Sequence, residues 1–319
     1  MVATSSGGAD IAGQRWIPCT KAASLGCNWL VPESHERPYA RGRCLADSLI
    51  RREPQADDTI AVEKLVSTSA ALRRLIYQLL DIGLPVDPFW RRDGGLAFDL
   101  VSSYSAGERV VIGHAGGVIT IDLVESLDAY RESLRVRLGE PYRTMLGHFR
   151  HEVGHYYQSI LVETGPGAAR YLDECRALFG DERADYQAEI ARHYKFGPPP
   201  NWGESFISEY ATMHPWEDFA ECFAHYLHIT ETIDTARESG LVLRADRARF
   251  SFADDVLPLE SYADAPIERL LDDWAWLSLL FNRVNTAMGK SPLYPFEIPP
   301  PVRRKLGFVH TVIREAGVS

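Results

Sequence analysis

Apolar positions recur at helical spacing over residues 59–82, where Val62, Leu65, Leu72, Leu75, Ile76 and Leu79 fall near one stripe. Gly83 and then Pro85 supply the stop signals. The period then changes. "GLAFDLVSS" alternates as a strand does. "ERVVIGHAGGVITIDL", covering 109–123 apart from its first residue, is β-branched on both sides of a glycine-containing turn and predicts a hairpin. From residue 126 the pattern is helical again, with helices expected over 126–138, 141–163, 168–178, 181–195, 204–212, 215–235 and 266–287. "FGPPPNW" interrupts this series, and "SPLYPFEIPPPVRR" predicts a proline-rich wrap before a short last helix. A few strands followed by many helices predict an α+β domain.

The N-terminal part lacks such periodicity. Residues 1–15 predict a disordered tail and residues 16–58, with Cys19, Cys27 and Cys44, a small irregular module ending in the charged run "RREPQADD". Residues 59–319 are then expected to form the main domain. Five cysteines in 319 residues are an odd and sparse set, which points to a reduced, cytoplasmic protein rather than a disulfide framework. No run approaches the ~20 apolar residues needed to span a bilayer, and the first residues lack the pattern of a signal peptide. A net charge of −10 argues against a nucleic-acid partner.

The candidate chemistry lies in "HFRHEVGHYYQ". His151-Glu152-Val153-Gly154-His155 is an H-E-x-x-H, and on a helix its histidines project from one face, one turn apart. Both imidazoles can bind one zinc ion, while Glu152 stands beside the first ligand, placed to take a proton from a zinc-activated water. Leu146, Phe149, Val153 and Ile160 form an apolar stripe that supports the helix. His148 would bring a third imidazole to the same side, but the trio spans about 10 Å along the axis, too far for one ion. It is expected near the ligands or at the surface.

Two ligands leave such a site incomplete, since catalytic zinc usually takes three from protein. Six residues after His155 stands Leu161, so a third histidine in the extended motif is absent. "HPWEDFAECFAHYLHI" places Glu217 and Glu221 one turn apart, interleaved with Trp216, Phe219, Phe223, Tyr226 and Leu227. Carboxylates among so many apolar side chains need a cation or a partner. One of the two can bind zinc and the other can fix the tautomer of a ligand histidine. His225 and His228, farther along, are candidates for lining the site. Asp181, Glu182 and Asp185 open another expected helix, where acids favour the helix dipole in any case.

"GEPYRTMLGHFRHEVGHYYQ", "LFGDERADY", "HPWEDFAECFAHYLHI", "GCNWLVP" and "GHAGGVITIDL" together resemble a bacterial family of zinc-binding metallopeptidases with an N-terminal zinc-ribbon, over residues 16–290. More distantly, "HEVGH" with "EDFAE" is similar to gluzincins. That resemblance implies a zincin-like fold, Glu217 as third ligand, Glu221 as the carboxylate behind the ligands and Tyr210 as an oxyanion donor. The family ribbon carries two cysteine pairs. Here Arg41 stands where a partner of Cys44 is expected, and three thiolates cannot close a tetrahedral site alone. His35 is the one candidate fourth ligand. The expectation is therefore one catalytic zinc and a degenerate ribbon, held by Trp16 and Trp29, without a structural ion at Cys19, Cys27 and Cys44.

The reading that follows is a zinc peptidase, selective in its processing of a peptide or protein substrate, with no membrane partner. The same chemistry would serve a non-peptide amidase. A binding or regulatory protein that kept the fold and lost catalysis is the rival from another class.

Overall fold

The computed structural model describes residues 2–3, 15–33, 42–107, 110–123, 144–165, 167–249 and 252–317. These form a mixed α+β structure, mostly helical, with two small sheets. The chain divides into two compact units, one of residues 1–137 with 144–156 and one of 138–143 with 157–319. The expected helix 126–138, the start of the one at 141–163 and residue 109 of the hairpin lie outside the described residues, as does His35. No helix among the described residues is long and apolar enough to cross a membrane.

The first unit begins with β1 (Val2–Ala3), β2 (Trp16–Pro18), α1 (Ala22–Leu25) and β3 (Trp29–Pro32), the strands forming one sheet in the order β1-β3-β2. Next come α2 (Leu45–Ser48) and β4 (Ile50–Arg52). The long helix α3 (Thr59–Asp81) follows. Its N-terminus is capped by Asp58, whose carboxylate accepts the Ala61 N–H at 3.0 Å. Leu65, Leu72, Leu75, Ile76 and Leu79 are buried as the spacing predicts, while Val62 stands outside the stripe and is exposed.

The second sheet contains β5 (Ala97–Val101), β6 (Gly113–Ala115) and β7 (Val118–Asp122), with α4 (Ser103–Ala106) between the first two strands. Its order is β4-β5-β7-β6, with β4, β5 and β7 parallel and β6 antiparallel at the edge. The segment 16–58 thus supplies a strand of this sheet, Ile50 pairing with Phe98. All five residues of β5 are buried, not alternate ones, because a central parallel strand is covered on both faces. The expected hairpin is present as β6 and β7. Gly116 and Gly117 at its turn have φ of 55° and 85°, the left-handed pair that a two-residue turn of this twist requires. A Cβ on Gly117 would also lie 2.3 Å from the Gly94 carbonyl oxygen. The unit ends within α5 (Met145–Tyr157), whose last residue belongs to the second unit.

The second unit opens with a π-helical turn, Gln158–Glu163. It continues through α6 (Ala168–Phe179), α7 (Tyr186–Phe196), α8 (Pro215–Glu238), α9 (Ile267–Ala287) and α10 (Pro300–Gly317). Phe179, Phe219 and Phe308 pack on one another, and Tyr157 stacks on Phe223 at 5.5 Å. Among these rings lies a buried ion pair, Lys305 Nζ to Asp218 Oδ2 at 2.6 Å.

Three expected boundaries change. The helix expected at 181–195 starts at Tyr186, because Asp185 caps it and Asp181 and Glu182 pair with Arg183 and Arg176 before it. The helix expected at 204–212 is replaced by two short 3-10 turns, Trp202–Glu204 and Tyr210–Thr212. There the Ser208 hydroxyl competes for the backbone, accepting the Ala211 N–H. The last helix is eighteen residues long and begins inside the proline run, which the first helical turn tolerates.

Candidate metal centre

Helix α5 is fixed by what its other faces touch. Phe149 packs edge-on against Phe98 of β5 with centroids 5.5 Å apart. Arg150 Nε donates to Gln78 Oε1 of α3 at 3.1 Å. These contacts turn the face bearing His151 and His155 to a definite direction. The two rings meet edge to face, and their Nε2 atoms are 3.1 Å apart. Two nitrogens at about 2.0–2.1 Å from one tetrahedral ion would be separated by about 3.4 Å, so the pair is close to a ligand edge.

Glu152 is buried, and its Oε2 accepts no hydrogen bond among the described residues. Its other oxygen is 3.8 Å from His148 Nε2. The structure therefore puts the third histidine of the motif beside the glutamate. The hairpin contributes His114, whose Nε2 accepts the Gly117 N–H at 3.2 Å and whose ring lies edge-on to Tyr156. Burial holds this imidazole down to about 4, so it is neutral at physiological pH.

After Tyr157 the helical ladder widens to the π-turn, closed where Thr164 N donates to Ser159 O at 2.9 Å. A Cβ at Gly165 would lie 1.9 Å from the Ile160 carbonyl oxygen, so the exit from this turn needs glycine. The last residue of the turn, Glu163, accepts the Trp216 indole N–H at 2.9 Å. Nothing in the hydrophobic pattern distinguishes six π-helical residues from an α-helix.

Helix α8 starts at Pro215, with His214 as its cap: Nδ1 accepts the Trp216 N–H, and Nε2 is 3.1 Å from the Ala184 carbonyl. Glu217 falls in the first turn, only 2% exposed. The Tyr186 hydroxyl donates to its Oε1 at 2.7 Å. Tyr186 stands in "LFGDERADY", where the neighbouring acids drew attention and the tyrosine gave no signal of its own. One turn on, Glu221 Oε2 accepts from Ser208 at 2.7 Å. His225 is buried, its Nδ1 2.7 Å from the Tyr294 hydroxyl, and His228 stacks on the same tyrosine. Tyr210 begins the short turn before α8 and is half-buried.

His151, His155 and Glu217 form one candidate ligand group, their donor atoms all within 4.8 Å of one another. Two imidazole nitrogens and a carboxylate oxygen suit zinc, and three protein ligands leave a coordination position for a reactant. A second group joins Cys19, Cys27 and Cys44 to Asp47, all buried. Asp47 enters this group only through the fold, three residues after Cys44.

Comparison with known proteins agrees with this donor chemistry. Residues 61–312 match the family described as "putative zinc-binding metallo-peptidase". A protein of Mycobacterium bovis is 42% identical over 302 residues, covering 93% of this chain and 82% of the relative. Proteins from two strains of Mycobacterium tuberculosis match to the same extent, and all three carry the description "uncharacterized". No solved structure matches the chain at a significant level. The match spans more than three quarters of the chain and contains the H-E-x-x-H helix and Glu217, so the chain belongs to this family of zinc-binding metallo-peptidases.

Proposed function

We propose that the chain is a zinc-dependent peptidase with a zincin-like, gluzincin-type site, in which His151, His155 and Glu217 hold the ion and Glu152 is the general base. The observation that carries this reading is the combination in one motif of two converging imidazole nitrogens and a buried glutamate oxygen with no described hydrogen-bond donor. A zinc ion held by this group would supply a Lewis acid and lower the pKa of a water toward about 7. Glu152 would take the proton of the attacking water on its carboxylate and later deliver it to the leaving amine. Tyr210 is assigned as donor to the oxygen that becomes negative as the carbonyl is attacked. Tyr186 donates to Glu217 Oε1 and so orients this carboxylate, and Glu221 and His225 support the α8 face of the site. Strand β6, at the edge of its sheet among the described residues, would receive an extended peptide by strand addition.

The assignment is tested with Glu152→Gln. The variant is expected to keep its zinc, measured by elemental analysis, and to lose cleavage of a peptide library. A variant that still cleaves would remove Glu152 from its role. Proline at His114, within the edge strand β6, should abolish cleavage of extended peptides.

A further inference from the structure

We propose that Cys19, Cys27, Cys44 and Asp47 form a second, closed zinc site of structural character, with Asp47 completing the three thiolates. The four donors come from separate places: Cys19 follows β2, Cys27 precedes β3, and Cys44 caps α2, which carries Asp47. All four are buried. Cys44 and Asp47 have the x2 spacing of a chelating loop.

The distances fit one tetrahedral ion. With zinc at about 2.3 Å from sulfur and about 2.1 Å from oxygen, the edges of the tetrahedron would be about 3.8 Å between sulfurs and about 3.6 Å between sulfur and oxygen. Cys27 Sγ and Cys44 Sγ are 3.7 Å apart. Asp47 Oδ2 is 3.4 Å from Cys19 Sγ and 3.3 Å from Cys44 Sγ. The sulfurs of Cys27 and Cys44 are far beyond the about 2.05 Å of a disulfide. Backbone amides are aimed at the sulfurs, as thiolates require: Cys44 N donates to Cys19 Sγ at 3.2 Å and Asp47 N to Cys44 Sγ at 3.4 Å.

The surroundings prepare the carboxylate for the same role. Arg73 Nη1 donates to Asp47 Oδ1 at 3.1 Å, and its Nη2 donates to the Leu25 carbonyl at 3.0 Å. One oxygen is thus held from outside while the other faces the sulfurs. Three thiolates and a carboxylate carry more negative charge than a divalent ion neutralises, and the buried guanidinium offsets part of the excess. Ion binding displaces the thiol protons to solvent, so the buried cluster becomes charged only when the cation is present to pair it.

Cobalt(II) tests this, because thiolate ligation gives a sulfur-to-cobalt charge-transfer absorption that a group of two histidines and a glutamate cannot give. Zinc in the full-length protein is exchanged for cobalt. The absorption should be present in the unaltered chain and in His155→Ala, which removes a ligand of the other group. This makes failure of this site distinguishable from failure of the peptidase reading. Asp47→Cys should keep the metal and raise the band by about a third, as four thiolates replace three. Asp47→Ala should lower cobalt and zinc content by about one equivalent per chain. No charge-transfer band in the unaltered chain, a band unchanged by Asp47→Cys, or a Cys27–Cys44 disulfide by mass spectrometry would each overturn the proposal.

Discussion

The two donor groups differ in what they leave open. The cysteine group has four candidate ligands, each buried, with the carboxylate oxygen not facing the sulfurs taken by Arg73. The histidine group has three, with a glutamate beside them whose Oε2 has no described donor. A tetrahedral ion is saturated by the first set and keeps a position free in the second, which is the difference between a site that holds a fold and one that handles a reactant. The supporting shells differ accordingly. Arg73 ties Asp47 to a backbone carbonyl of its own module. Tyr186 ties one oxygen of Glu217 from the start of α7.

The largest break in this comparison should come from the free base. On the proposed reading Glu152→Gln removes proton transfer without removing a ligand, and turnover on a cleaved peptide should fall by about 10²–10⁴-fold with zinc content and melting temperature unchanged. A parallel loss of zinc would mean that Glu152 belongs with the ligands and that the open group is not as open as drawn.

Loss of a thiolate should act on the opposite quantity. Cys27→Ser is expected to lower the melting temperature and to alter the fluorescence of the module's Trp16 and Trp29, since binding energy at a structural zinc site is folding energy. Glu217→Gln should lower activity with little change in melting temperature. Titration with a chelator should separate the groups in the same order, activity disappearing first and returning on addition of zinc. A single transition in which activity and fold are lost together would collapse the distinction.

The supporting tyrosine gives an intermediate effect. Tyr186→Phe removes only the hydroxyl that donates to Glu217, and zinc affinity at the histidine group should fall by about 10–100-fold. Cobalt charge transfer from the cysteine group should not change. If affinity is unaltered, the hydrogen bond only packs the start of α7 against α8.

How much of this was legible in the sequence follows from how local each determinant is. His151, Glu152 and His155 sit within one turn and a half of helix, so spacing alone places them on a face. The hairpin around Gly116 and Gly117 was legible because the turn needs positive φ at both positions. Glu217 came from the chemistry of an acid in an apolar helix, and its assignment as ligand from family resemblance. Asp47 and Tyr186 gave no such signal. An aspartate three residues after a cysteine is an ordinary surface pattern until Cys19 and Cys27 are folded against it, and a tyrosine opening a helix is ordinary until α8 lies beside it. The 3-10 turn holding Tyr210 escaped for a different reason: Ser208 caps the turn locally, and apolar spacing cannot register that.

The smallest expected effect probes how far the closed group depends on its shell. Arg73→Lys keeps the positive charge beside Asp47 but loses the planar fork that reaches the carboxylate and the Leu25 carbonyl together. One buried acceptor would then go unserved, at a cost of about 1–3 kcal/mol, or a few degrees in melting temperature. Thiolate-to-cobalt charge transfer should keep its intensity, because no ligand has changed, while the metal should be released to a chelator sooner than from the unaltered chain. If release is equally slow, the four donors hold their arrangement without Arg73. The guanidinium would then serve the packing of α1 on α3 rather than the poise of the carboxylate. The same substitution should leave peptide turnover untouched, and a fall in turnover would show that the closed and the open group are coupled through the fold.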